Sequence, residues 1–403
     1  MQGHRPRAER NRQRASRKSH HRQTQRRRPR RHRPTLRRHE HSDPAGLQQR
    51  RNEKENDRGK RQVAIARGDR RIYPDKELTV GDSHAAVGDL QRRLADAGLL
   101  DLDEVVVETF CETTRQAVAQ FQKIRALRVS GVCDDTTWST LVESSFKLGD
   151  RLLYLVSPLL RGDDVAQLQL LLSRVGFDCG RVDGFLGPKT AKVLTDFQQN
   201  YGLVPDGICG PQTLQALRRA SRNSGLGPGV GIVRQRHTAK NYGDDLAKLR
   251  VVVGQFGHLD RLVVDLVERL RARHTDVAVI NDPDPQRHAR LANDFAAHLY
   301  IGVESHDTQV CELAYYHTEG FHSVPAHIYA TLAAEAIERS APWFKPVVKG
   351  MRLQVLRETT MPAVVCSLGP ITRVTPHCAV LADDLAKALA VWTKTTSMKF
   401  GAK

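Results

Sequence analysis

His258, Glu304 and His306 are the side chains whose types and spacing come nearest to a metal centre in this 403-residue chain. A hydrolytic zinc site takes three protein ligands, keeps a fourth position for a water that the metal acidifies, and adds a carboxylate to shuttle protons. Glu304 and His306 stand two apart and can both ligate from one loop, with His258 arriving from a separate segment. His317, His322 and His327 have no such partners in sequence and read as surface or core polar residues. A second pattern is made of turns. Asp183-Gly184 with Gly187, and Asp206-Gly207 with Gly210, form two copies of Asp-Gly-x-x-Gly, where glycine lets the backbone approach a ligand that a side chain would obstruct. These six residues are the ligand-binding candidates. The plainer reading is that they only build turns and caps.

The turns belong to a repeat. Between Gly81 and Leu141 the order Val87, Leu90, Gln91, Leu94, Gly98, Thr114, Phe121, Gln122, Leu127, Gly131, Thr137, Leu141 appears, and between Gly162 and Leu217 it returns as Val165, Leu168, Gln169, Leu172, Gly176, Thr190, Phe197, Gln198, Leu203, Gly207, Thr213, Leu217. Helical spacing of the apolar positions predicts three short helices per copy. Asp163 or Asp164 is expected to cap the first helix of the second copy, Gly176 to end it in a left-handed conformation, and Pro188 to open the next. The first copy carries Val107-Glu108 where the second has Asp183-Gly184, and Ser130 and Asp134 where it has Asp206 and Gly210, so only the second keeps both turns intact.

A Gly-, Ser- and Asn-rich stretch, 222–245, reads as a linker into a third domain. There strands are predicted at Leu249–Val253, Val277–Ile280, Leu299–Val303, Cys311–Tyr316, Leu353–Leu356 and Ala363–Cys366, and helices at Leu262–Leu270, Arg290–His298, Ala326–Arg339 and Asp383–Trp392. The alternation predicts an α/β sheet sandwiched by helices. The fold class is therefore multidomain: a basic tail over 1–71, all-α modules at 78–146 and 157–221, the linker, and an α/β domain at 246–396.

Up to Arg71 there are 25 Lys plus Arg against seven Asp plus Glu, a balance equal to the +18 of the whole chain. The remainder is neutral. The tail has no apolar periodicity, is expected to be disordered, and would bind nucleic acid only weakly and with strong salt dependence. Seven cysteines form no CxxC pair, which excludes zinc-finger readings and suits reduced thiols. No apolar stretch predicts a transmembrane segment or a signal peptide, so the expected location is cytoplasmic, peripheral at the inner membrane face.

The second helical copy, with Val182-Asp183-Gly184-Phe185-Leu186-Gly187 and Asp206-Gly207-Ile208-Cys209-Gly210, resembles the three-helix peptidoglycan-binding module of bacterial wall enzymes. Arg287, Ala289, Leu291, Ala292 and Asn293, then Leu353-Gln354-Val355-Leu356-Arg357, Met361-Pro362-Ala363-Val364-Val365 and Leu368-Gly369, resemble the zinc-dependent N-acetylmuramoyl-L-alanine amidase domain. Two such modules before this domain resemble an actinobacterial amidase-like family. That resemblance implies a zinc held by His, Glu and His, and a catalytic Glu. Here the Gly-rich loop bearing the first His is absent, and the strand runs into Gly254-Gln255-Phe256-Gly257-His258. Leu259 stands at the slot of the metal-binding Glu, Glu304 at the second His and Ser367 at the catalytic Glu.

The expectation is a pseudoenzyme without a cofactor that binds peptidoglycan fragments or lipid-linked precursors and regulates peptidoglycan-synthesis enzymes, under a Ser/Thr kinase if the resemblance extends so far. Thr393, Thr395 and Thr396 are the phosphorylation candidates, read as exposed in basic surroundings. Phe256 and Leu259, replacing hydrated groups in the vacated groove, are the expected partner-docking residues. The alternative is a working amidase whose zinc sits in a relocated site.

Overall fold

A computed structural model describes residues 77–223, 230, 233 and 246–401. The tail at 1–71 and nearly all of the linker lie outside the described residues.

Each helical copy folds as read. Module 1 contains α1 (Ala85–Asp96), α2 (Glu112–Ile124) and α3 (Asp135–Ser144); module 2 contains α4 (Asp163–Val175), α5 (Pro188–Asn200) and α6 (Pro211–Asn223). Their apolar stripes form separate cores around Leu90, Phe121 and Leu141, and around Leu168, Phe197 and Leu217. The repeated glutamines explain the repeated threonines. Gln91, Gln122, Gln169 and Gln198 are at most 1% exposed. Each donates from Nε2 to the hydroxyl of Thr114, Thr137, Thr190 or Thr213 at 3.0–3.2 Å. Each Oε1 in turn accepts from the amides of the turn that precedes the next helix. A buried amide side chain left unpaired would be expensive, so this pattern fixes both ends of the connection.

Module 1 keeps that geometry without the Asp-Gly sequence. Glu108 adopts φ +63° where Gly184 has +76°, and the Ser130 hydroxyl accepts from Val132 N as the Asp206 carboxylate accepts from Ile208 N. Gly176 is left-handed and Pro188 occupies the first turn of α5, as expected. The predicted cap is different. Gly162 precedes α4 without a side-chain cap, because Asp164 pairs with Arg151 at 2.7 Å and Asp163 turns toward Arg352 at 3.4 Å.

The third domain holds a seven-stranded sheet of β1 (Arg250–Gln255), β2 (Asp276–Asn281), β3 (Leu299–Ser305), β4 (Val310–Thr318), β5 (Phe321–His322), β6 (Val347–Met351) and β7 (Ala363–Gly369), in the order β2-β1-β3-β7-β4-β5 with β6 also on β4. β2, β1, β3 and β7 are mutually parallel, and β4 runs against β7. One sheet face is covered by α7 (Asp260–Arg271), α9 (Val324–Ser340) and α11 (Cys378–Gly401), through Leu266, Tyr329, Trp392 and their neighbours. The other receives α8 (Pro285–Asp294) and α10 (Gln354–Glu358). It also receives module 2, whose Val182, Ala166 and Leu170 join the cluster of Val252, Tyr300, Tyr316 and Val365. The second module is thus a layer of the α/β domain.

The strand expected at Leu353–Leu356 is instead the start of a helix, Gln354–Glu358, with Leu353 extended before it. A short apolar run does not distinguish the two by periodicity, and here Val355 and Leu356 bury one side of α10 against that layer. The expected helix at Arg290–His298 begins earlier, at Pro285, where the Asp284 carboxylate accepts from Gln286 N at 2.8 Å. Strand β6 lacked a sequence signal because most of it is only half-buried. Among the described residues no helix is long and apolar enough to cross a membrane.

Candidate functional site

Glu304 and Ser367 meet because β3 and β7 are parallel neighbours in register, Glu304 opposite Ser367. Side chains alternate along a strand, so Tyr300, Gly302 and Glu304 share the face that carries the helical modules, while Ile301 and Val303 enter the opposite core. The Ser367 hydroxyl donates to Glu304 Oε1. His306 Nε2 lies 3.3 Å from the same oxygen, and Arg128, from the loop after α2 in module 1, places Nη2 2.5 Å from it. Burial pushes the Glu304 carboxyl up, but the His306 hydrogen bond, the Arg128 charge and the hydrogen bonds from Arg128 and Ser367 outweigh it and hold the pKa at about 2. The slots that the amidase resemblance assigns to a ligand and a catalytic base therefore hold a carboxylate neutralised by a guanidinium.

This donor set does not fit zinc. Among the described residues no three His, Cys, Asp or Glu side chains gather. His258 is exposed on a turn at φ +56°, and a metal at Glu304 would compete with Arg128 for one oxygen. Close by, Gly254 on β1 leaves space for the Tyr300 hydroxyl and the His288 ring, which a Cβ would overlap. His288 Nδ1 is 2.7 Å from Tyr300 Oη and its Nε2 2.8 Å from the Asp282 carbonyl; burial lowers its pKa. The Asp282 carbonyl can only accept, so Nε2 carries the proton and the neutral imidazole accepts from the tyrosine. This is a satisfied core histidine.

The helical modules reach the α/β domain through charge. Glu143, in the last turn of α3, is 2% exposed, and its carboxylate meets Arg352 at 3.0 Å, Arg357 at 3.0 Å and Arg161 at 3.3 Å. Arg357 donates from Nε to the Asp183 carbonyl at 2.7 Å and lies over the Phe185 ring at 4.3 Å. Arg181 Nη2 donates to the Leu356 carbonyl at 2.7 Å, and the Tyr316 hydroxyl to the Val182 carbonyl at 3.0 Å. The first Asp-Gly turn consequently faces protein. A Cβ on Gly184 would lie 3.0 Å from Gly162 O and 3.2 Å from Arg357 Nη2. Asp183 is also engaged within its own turn, accepting from Gln169 Nε2 at 2.8 Å and Phe185 N at 2.9 Å. Gly187 lines a cleft shared with Arg357 and Thr359. Asp206 makes the matching bonds to Gln198 Nε2 at 2.7 Å and Ile208 N at 2.9 Å, but it is exposed, and Gly207 and Gly210 beside it are half-exposed.

Residues 83–141 and 161–217 each match the family described as "Putative peptidoglycan binding domain". N-acetylmuramoyl-L-alanine amidase CwlM of Mycobacterium tuberculosis is 33% identical over 342 residues, spanning 74% of this chain and 83% of that protein. The chain belongs to the CwlM family. N-acetylmuramoyl-L-alanine amidase CwlL of Bacillus licheniformis is 31% identical over 149 residues, 32% of this chain and 41% of that protein. The amidase CwlA of Bacillus subtilis is 36% identical over 90 residues, 21% of this chain and 33% of that protein.

In this CwlM-family chain two expectations from sequence need correction. Leu259 is 2% exposed and packs in the core with Leu262, so it offers no docking surface. Phe256 is half-buried, stacked on His288 with ring centroids 4.2 Å apart. Thr393 and Thr396 are at most 1% exposed and donate to the carbonyls of Ala390 at 3.0 Å and Trp392 at 2.7 Å. They are closed to modification in the folded chain; Thr395 is half-exposed. Sequence reasoning missed Arg128 and Glu143, whose partners lie 176 and up to 214 residues away. The one available signal was Glu143 itself, an acidic residue on a helical face otherwise facing the core.

Proposed function

We propose that this chain is a non-catalytic protein on the amidase fold, which binds peptidoglycan or its precursors through its helical repeats and regulates peptidoglycan synthesis through protein partners. The observation that carries the reading is the Glu304 carboxylate held by Arg128 and Ser367 where hydrolysis would need a metal and a free base. Metal affinity depends on ligand number and geometry together, and loss of a general base alone lowers rate by roughly 10²–10⁴. Peptidoglycan-synthesis enzymes and a Ser/Thr kinase are the partners this reading calls for.

A relocated zinc site has one observation in its favour, the His306–Glu304 pair at 3.3 Å. It would require expulsion of Arg128 and recruitment of a third ligand. Elemental analysis of the purified chain with a muropeptide-cleavage assay separates the readings. Zinc far below one per chain and no release of stem peptide are expected. Stoichiometric zinc with turnover that a chelator abolishes would overturn the proposal.

A further inference from the structure

The docking of module 2 uses up one of its two Asp-Gly turns and leaves the other open. Next to the open turn, between residues 148–152 and α6, lies a groove of about 830 Å³, within the range of ligand pockets. Leu148, Leu152 and Leu214 give it an apolar floor, and Arg218, Arg219 and Arg222 line it from α6. All three arginines are exposed. Arg218 Nη2 donates to the Leu148 carbonyl at 3.1 Å, which anchors the side chain along the wall. Arg219 and Arg222 form no ion pair among the described residues.

The internal repeat says what such a face does. With Gln122 superposed on Gln198, the positions of Arg218, Arg219 and Arg222 fall on Val142, Glu143 and Phe146 of module 1. There the face is a contact surface: Glu143 is buried against Arg352 and Arg357. In module 2 the same face carries the opposite charge: three arginines line the groove against one carboxylate, that of Asp150 at its rim, which accepts from Lys147 N at 2.9 Å. We infer that this groove is an anion-binding subsite that takes the free stem-peptide carboxylates of a peptidoglycan fragment, its sugars resting on the leucine floor. The inference rests on the peptidoglycan-binding reading above and adds where the ligand sits and which of its groups is held. Guanidinium suits the task because its planar donors match a carboxylate in pairs.

The test is calorimetric titration of the full chain with a disaccharide-tripeptide muropeptide bearing free carboxylates, with the same muropeptide amidated, and with UDP as a phosphate-bearing control. The Arg219→Glu/Arg222→Glu double variant should bind the free-acid muropeptide about tenfold or more weakly, and the affinity of the unmodified chain should fall with added salt. The amidated ligand should bind weakly to both proteins. Since these side chains are exposed, circular dichroism should show an unchanged fold. Equal binding of the free acid by variant and unmodified chain would overturn the groove while leaving peptidoglycan binding intact, and displacement of the muropeptide by UDP would overturn the carboxylate assignment. If the unmodified chain binds neither muropeptide, the parent reading falls and the groove with it.

Discussion

Replacing Glu143 by Gln should loosen both helical modules from the α/β domain without unfolding either module. The carboxylate is 2% exposed and is shared by Arg352 and Arg357, themselves 6% and 9% exposed. Removing one partner from a buried ion pair costs about 3–5 kcal/mol, because it strands charge out of water rather than merely losing an attraction. Two features reduce the figure here. Arg352 retains Asp163 at 3.4 Å, and Arg357 retains the Asp183 carbonyl at 2.7 Å. Arg161 is 37% exposed and adds no more than about 1 kcal/mol. The net expectation is roughly 3 kcal/mol. Because the modules have their own apolar cores, the loss should appear as undocking at lower urea than global unfolding, with faster amide exchange over 126–131 and 352–359. In a double-mutant cycle, Glu143→Gln and Arg352→Met should couple by more than about 1 kcal/mol. Unchanged exchange in both segments, with a stability loss under about 0.5 kcal/mol, would refute the clasp.

Acid should open the same interface elsewhere. Glu304 has a folded pKa of about 2 against an ordinary 4.5, so its stabilising contribution is complete above pH 4.5 and is lost as pH falls toward 2. Glu304→Gln should remove that part of the acid sensitivity, on the order of 2 kcal/mol once the half-exposure of Arg128 is allowed for, and parallel acid curves for both proteins would contradict it. Leu259→Asp should destabilise by about 3 kcal/mol or more through an unpaired buried charge, measured as a lowered thermal midpoint, whereas a docking residue would leave that midpoint unchanged.

The modules were legible from sequence because their determinants are local. Gln169 contacts Asp183, Gly184 and Thr190, all within 21 residues, and the same device recurs three times in the chain, so that repetition alone marks it. Strands β1, β3 and β7 were legible because continuous burial makes them near-continuous apolar runs. Strand β6 and helix α10 were not. The first is mostly half-buried, and the second is only five residues long, with burial decided by module 2 rather than by its own periodicity. The departures at 259, 304 and 367 were visible in sequence, but the cation that pairs with Glu304 was not, since Arg128 belongs to another module and nothing near it in sequence points to β3.

That replacement has a physical logic. The carboxylate at position 304 is buried, and burial alone would push its proton affinity up until the charge was given up. It can stay ionised only beside a fixed cation. In a hydrolase of this architecture the metal would serve; here the cation is Arg128, tethered through α2 to a module that Glu143 and Arg125 also bind to the α/β domain and to module 2. The substitution at 304 and the docking of module 1 are therefore two sides of one arrangement. A neutral residue at 304 would leave Arg128 without its counter-charge, and an undocked module 1 would leave Glu304 without its own. The pocket around Glu304 is thus held closed by the placement of the helical repeats, and a ligand introduced at a single position would meet a guanidinium where a metal has to enter.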